Sequence, residues 1–348
     1  MSVPRAAVDV ERRAALNGAR LAALVAGRWG PGPRRRGALG TTATLVERGT
    51  GWVLPDGDPA RSLGPALVWA EREGVEDLHL LAGAGPDAAG LLARQASLFV
   101  DGPAVWAVEG TGLVPAAPAA TPARLAAPAA PELIDVMIDA GVEIVVEGGV
   151  VRGEVEGLEV ARIVLDPGAG GAARLEVGVG RADRELTAMV HAGLAPLEQL
   201  SRVVAIVRRQ RRPGAGRHPL NQLVPERWLR AVLCREPALV GLAALRPAEG
   251  ARPRPDLRAR DVAMAVGEDD RGRSTVVACS VGVALDLVPT AADGRAAIDA
   301  GGRPPVSPSR LLLAVPERDA HPRTRDLAAR LRSPAEVVTV PGDWRAAG

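Results

Sequence analysis

Two acidic side chains on successive extended stretches are the groups of this chain best placed to do chemistry. In the run GEVEGLEVARIVLD, residues 153–166, side chains of a strand alternate, so Glu159 shares a face with Ala161, Ile163 and Leu165. A carboxylate turned into an apolar face is costly unless a cation or hydrogen bonds meet it. In ARLEVGVG, residues 173–180, Glu176 shares its face with Gly178 and Gly180, which leave room beside the carboxylate. Asp286 sits in the same way among Gly282 and Ala284. If neighbouring strands bring Glu159 and Glu176 together, the pair could hold a hard divalent ion through oxygen. The competing reading pairs Glu159 with Arg162 or Arg174 at a sheet edge.

Arginine is the second chemical feature. Between residues 202 and 235 stand Arg202, Arg208, Arg209, Arg211, Arg212, Arg217, Arg227, Arg230 and Arg235 against the single acid Glu226, an excess of eight positive charges in 34 residues. Guanidinium forks suit phosphate, and neutralising several phosphates makes binding steeply salt-dependent. Arg208, Arg209, Arg211, Arg212 and Arg217 are therefore the candidate nucleic-acid contacts. Only Trp228 is interleaved with them, so base stacking is not implied. A solvated helix end, where arginine also complements the helix dipole, is the plainer reading. An acidic protein is the alternative partner.

Other constellations carry less. His79, His191, His218 and His321 are scattered without zinc spacing, and His79 reads as a core histidine inside an apolar strand. Cys234 and Cys279 stand 45 residues apart, belong to no C-x-x-C pair and read as buried thiols. No G-x-S-x-G nucleophile elbow occurs. Residues Gly83–Ala88 (GAGPDA) fit a dinucleotide fingerprint, with Glu109 26 residues beyond Gly83. Pro86 stands where a donor amide is wanted, and one β-α-β unit precedes a proline-rich stretch, so an ordinary glycine turn is the better reading. No cofactor is expected from these motifs, other than Mg²⁺ should the acids be catalytic.

The 348 residues carry 43 basic and 41 acidic groups, so a net charge of +2 advertises no global field toward nucleic acid or membrane. All the basic groups are arginine. With no tyrosine and one phenylalanine, broad aromatic platforms are excluded. The apolar stretch Leu21–Ala26 is too short for a signal-peptide core or a membrane span, and a cytoplasmic location is expected.

The elements that must position these groups form an α/β chain of two modules with mixed sheets. Residues 1–112 read as α-β-β-α-β-α-β, with a hairpin across Arg48–Thr50 and a helix opened by Asp58-Pro59. Residues 113–131 hold Pro115, Pro118, Pro122, Pro128 and Pro131 and almost no charge, the composition of a stiff linker. The module 132–348 begins with a short helix and a hairpin across Gly148-Gly149, then strands 158–165 and 174–179. An arginine-rich helical insertion, about 196–273, contains helices near 196–210 and 225–235. The strands 275–287, 311–315 and 336–340 return to α/β. Residues 78–108 and 311–340 share one layout: strand, proline-opened helix, closing strand.

This order of helix, hairpin, acid-bearing strand, strand with E-x-x, helix and strand, over about 132–210, resembles the restriction-endonuclease-like nuclease core. The resemblance implies two Mg²⁺-binding acids, here Glu159 and Glu176, and a lysine two residues after the second. That position holds Gly178, and the chain has no lysine. The leading expectation is a non-catalytic, nucleic-acid-associated protein. The alternatives are a Mg²⁺-dependent phosphodiesterase using Glu159 and Glu176, and a protein-interaction scaffold.

Overall fold

A computed structural model describes residues 5–166, 171–181, 183–185, 194–212, 218–252, 254, 256–301 and 308–346. The chain is α/β and divides into two compact units that are not contiguous in sequence. One comprises Met1–Ala120, Ala284–Asp293 and Pro322–Pro334, and the other Thr121–Val283, Gly294–His321 and Ala335–Gly348. No helix among the described residues is long and apolar enough to cross a membrane.

The first unit is built on a six-stranded sheet whose strands follow one another in chain order: β1 (Arg35–Leu39), β2 (Thr42–Glu47), β3 (Thr50–Leu54), β4 (Asp77–Ala82), β5 (Ala104–Glu109) and β6 (Gly112–Pro115). The expected hairpin is β2–β3, with positive φ at Arg48 and Gly49. β3, β4 and β5 are parallel, joined by α2 (Leu63–Glu73) and α3 (Pro86–Ser97). Helix α1 (Arg5–Trp29) packs Leu21, Leu24 and Val25 against Leu45, Trp52 and Leu81. At that end Trp106 Nε1 donates to His79 Nδ1 at 3.2 Å, and His79 Nε2 lies 3.1 Å from Asp77 Oδ2. An indole only donates, so the histidine proton sits on Nε2. Burial lowers the His79 pKa against the opposing pull of Asp77. The GAGPDA segment is a turn in which Gly85, at φ +94°, caps α3. Strand order never reverses here, so the sheet has no switch-point crevice of the dinucleotide-binding kind.

The C-terminal residues that return to this unit are held by specific contacts. Arg94 donates from Nε and Nη2 to the two oxygens of Asp293 at 2.7 and 3.0 Å, a buried bidentate pair across 199 residues. Gly64 sits so close to the Leu285 carbonyl that a Cβ would fall 1.9 Å from its oxygen. Simple division at a 113–131 linker misses these returns. Part of that stretch is itself structured: β6 pairs with β5, and the Ala119 amide donates to the Gly90 carbonyl at 2.9 Å.

The second unit holds two sheets. The four-stranded sheet runs β10-β9-β8-β7, with β7 (Glu143–Glu147), β8 (Val150–Val155), β9 (Leu158–Asp166) and β10 (Ala172–Val177). It is antiparallel throughout, and tight turns at Gly148-Gly149 and Glu156-Gly157 join β7 to β8 and β8 to β9. Gly148 and Gly149, at φ +61° and +71°, make the expected tight turn. One face carries Val151, Val155, Leu158, Ala161 and Ile163, covered by α4 (Pro131–Asp139) through Met137 and by α5 (Pro196–Gln210) through Leu200, Val204 and Val207. The five-stranded sheet runs β11 (Ala244–Ala248), β12 (Ala263–Glu268), β13 (Ser274–Cys279), β14 (Arg310–Pro316) and β15 (Glu336–Val340). Helix α6 (Pro225–Arg235) packs Trp228, Leu229, Val232 and Leu233 into its core, beside Trp344. The expected strand 275–287 ends at Cys279; Gly282 at φ +87° turns the chain, and Asp286 precedes α7 (Leu287–Ala300). The first unit contains the expected strand–helix–strand layout as β4-α3-β5; β14 and β15 are likewise parallel neighbours in the second, but the helix between them, Pro322–Ala329, belongs to the first unit.

Candidate nucleic-acid interface and the carboxylate pair

A register shift decides where Glu159 points. Arg152 pairs with Arg162 and Gly153 with Ala161, but the next residue, Glu154, pairs with Glu159. Val160 is therefore the extra residue of a β-bulge, and side-chain alternation resets across it. Leu158 and Val160 are buried in the apolar core, whereas Glu159 joins Arg152, Arg162 and Glu176 on the opposite, polar face. The expectation that Glu159 shares a face with Ala161, Ile163 and Leu165 is thus corrected by one bulged residue.

The two acids do converge, and on guanidinium. Glu159 accepts from Arg152 Nη1 through Oε2 and from Arg184 Nη1 through Oε1 at 3.1 Å. Glu176 accepts from Arg162 Nε at 2.9 Å and from Arg174 Nη2 at 2.8 Å, with Arg184 Nε 3.6 Å away. Each of the four carboxylate oxygens thus already faces a cation. The immediate cluster counts four arginines against two acids, a positive surplus that would repel a divalent cation. Among the described residues no three histidine, cysteine or acidic side chains gather as a metal site. The donor set does not fit Mg²⁺, and Glu159 and Glu176 are ion-pair partners here.

Further along the same face the pairing goes into the interior. Glu154, 1% exposed, accepts from Arg227 Nη1 at 2.5 Å and Arg230 Nη2 at 2.6 Å. Arg227 also reaches Glu147. Burial opposes ionisation of Glu154, but Arg230 and Arg227 outweigh it and hold its pKa below the ordinary value. Arg235 completes the series with both oxygens of Glu156, at 2.8 and 2.9 Å. Glutamates of β7, β8 and the turn after β8 therefore cancel α6 arginines 73 to 80 residues away.

The arginine-rich segment consequently splits. Arg211, expected as a nucleic-acid contact, is buried: Nη1 donates to the Glu156 carbonyl at 2.6 Å, and Nε and Nη2 to that of Leu220 at 3.1 and 2.9 Å. Its guanidinium lies 5.1 Å from the Trp228 ring, and burial lowers its pKa to about 10. It clips 218–224 to the turn after β8 and is corrected from contact to structural residue. Arg202 pairs with Glu198 at 2.6 Å. Arg208, Arg209 and Arg212 face solvent at the end of α5. Arg208 donates to the Gly141 carbonyl at 2.6 Å, and none of the three has a carboxylate partner among the described residues. Arg217 lies outside the described residues.

No protein-family model, curated protein or solved structure matches this chain. Residues that sequence reasoning missed are Arg152 and Arg184, which organise the acid pair, and Glu147 and Glu154, which consume the arginines of α6. Glu154 carried a usable signal: it stands between Gly153 and Val155 in an apolar strand, where only a buried partner makes a carboxylate tolerable.

Proposed function

We propose that this protein associates with nucleic acid through phosphate contacts and does not cleave it. The observation that carries this reading is the end of α5, where Arg208, Arg209 and Arg212 are exposed and have no carboxylate partner among the described residues. Flexible guanidinium groups on a helix end can follow a phosphate backbone without reading bases. The saturated oxygens of Glu159 and Glu176 support the non-catalytic part.

Fluorescence anisotropy with end-labelled single- and double-stranded DNA and RNA tests this. Wild-type affinity is expected to fall steeply with salt. Arg209→Gln/Arg212→Gln should flatten the log–log slope by about 1.4 to 1.8, the contribution of two phosphate contacts. Labelled strands should stay intact in Mg²⁺ or Mn²⁺. Absent affinity, or affinity indifferent to salt, removes the association. Metal-dependent cleavage that Glu176→Gln abolishes would restore a catalytic role.

A further inference from the structure

On the polar face of the four-stranded sheet, the face opposite α5, lies an open cleft of about 560 Å³. The sheet contributes Arg152, Glu159 and Arg162, the segment after β10 contributes Arg181 and Arg184, and the loop Asp256–Arg258 closes another side. Among the described residues seven arginines line it against three carboxylates, and four of the seven also pair outside the lining: Arg162 with Glu176, Arg181 with Glu185, Arg227 with Glu154 and Arg254 with Glu226. Among the described residues Leu257 is the one apolar side chain in the lining, and no aromatic ring is present.

The three carboxylates are already engaged. Glu159 is held by Arg152 and Arg184, and Glu147 by Arg227. Asp256 Oδ1 accepts the amides of Arg258 and Ala259 at 2.6 and 2.7 Å, which fixes the loop. Arg254 braces that loop from behind, donating to the Asp256 carbonyl at 2.6 Å and to Glu226. Guanidinium donors remain unspent. Arg152 Nε has no hydrogen-bond partner, its nearest carboxylate being Glu147 Oε2 at 3.9 Å, and the exposed Arg258 side chain makes no hydrogen bond among the described residues. Arg181 is 87% exposed and among the described residues bonds only Glu185. Burial lowers the Arg184 pKa; Glu159 and Glu176 oppose this, while Arg162 and Arg152 add to it. Such crowding is relieved by an incoming anion.

We propose that this cleft is a phosphate-binding site, taking either a free pyrophosphate-sized anion or the phosphates of a nucleic-acid strand. Its volume is that of an ordinary small-ligand site. Planar guanidinium forks on three sides match phosphate oxygens, and the absence of rings leaves a base unread. The site lies across the sheet from the α5 arginines and does not depend on them.

Calorimetry at low salt with the full chain tests the proposal, using sodium pyrophosphate and a short single-stranded oligonucleotide as separate ligands. Arg181→Gln/Arg258→Gln removes two exposed cleft guanidiniums at the cost of one solvent-exposed i,i+4 pair, Arg181–Glu185, so its melting temperature should stay close to that of wild type. Its affinity for the bound ligand should fall about tenfold or more, while Arg209→Gln/Arg212→Gln should leave pyrophosphate binding unchanged. Pyrophosphate binding that weakens in the cleft variant identifies a free anion. Oligonucleotide binding alone, weakened by the same variant, identifies a strand backbone. If neither ligand binds, or the cleft variant binds as tightly as wild type, the proposal is overturned. Oligonucleotide binding lost only in Arg209→Gln/Arg212→Gln would overturn the cleft and leave the α5 interface standing.

Discussion

Replacing Glu154 by glutamine probes the interior ion network most directly. The carboxylate makes two charge-assisted bonds, 2.5 Å to Arg227 and 2.6 Å to Arg230. Arg227 keeps Glu147 after the change. Arg230, 0% exposed, already has Nε and Nη1 unpartnered and would lose its only bonded carboxylate. Breaking a buried pair from one side costs about 3–5 kcal/mol, because a desolvated charge is left behind. Glu154→Gln should therefore lower stability by that amount. Glu147→Gln leaves Arg227 its second acid, Glu154, and should cost less than Glu154→Gln. The double variant Glu154→Leu/Arg230→Leu should recover most of the loss, since a matched apolar pair is often as stable as a buried ion pair. Urea unfolding is the appropriate assay, because urea, unlike guanidinium, does not screen charge. Trp228 and Trp344, 5.8 Å apart beside this network, supply a fluorescence signal. Glu154→Gln within about 1 kcal/mol of wild type would refute the reasoning. A double variant weaker than the single would refute it too.

The pKa directions set a pH dependence. Glu154 is held below its unfolded value of 4.5, so its contribution is full above that value and is lost as pH falls through the lower folded one. Glu154→Gln should flatten the acid limb of the stability curve measured below about pH 5. Glu143 is raised by burial despite Arg230, so it costs stability as pH rises through its folded value, and Glu143→Gln should be neutral or stabilising at pH 7 by urea midpoint. Gly157→Ala should cost about 2–5 kcal/mol, because Gly157 has φ +71° and a Cβ would lie 2.3 Å from the Arg227 carbonyl; circular dichroism and urea titration read the loss. Cys234, pushed up to about 12 by burial, and the fully buried Cys279 should resist a thiol reagent at pH 8 and react in urea.

Much of the second unit was legible because its turns and faces obey local rules. Gly148-Gly149 fixes a hairpin, and Leu200, Val204 and Val207 recur at helical spacing on α5. The parallel strand–helix–strand units were legible from proline-opened helices between apolar runs. β1 escaped notice because four of its five residues are exposed and its core is RRGAL, with no alternating pattern. The recruitment of 284–293 and 322–334 to the first unit was illegible for another reason. It rests on pairs such as Arg94–Asp293, where neither partner has any local mark of the other. The polar face of the four-stranded sheet failed at one residue: period-two reasoning holds only while the ladder is regular, and Val160 breaks it.

Arginine plays three parts in this chain, and a count along the sequence merges them. Arg211 spends its donors on backbone carbonyls and closes a loop. Arg227 and Arg230 spend theirs on Glu147 and Glu154 and hold α6 to the sheet. Arg209, Arg212 and Arg258 keep theirs. Only the last kind can meet a ligand, because a guanidinium already satisfied in a low-dielectric interior gains nothing by exchanging partners. The nine arginines of residues 202–235 therefore overstate the field that a polyanion would meet, and among the arginines of 152–184 and 254–258 most serve the fold's own carboxylates, which leaves Arg258 and the exposed Arg181 to meet a ligand. What determines binding is the number of donors left over once the fold's own carboxylates and carbonyls are served. By that measure the polar face of the four-stranded sheet ranks beside the end of α5.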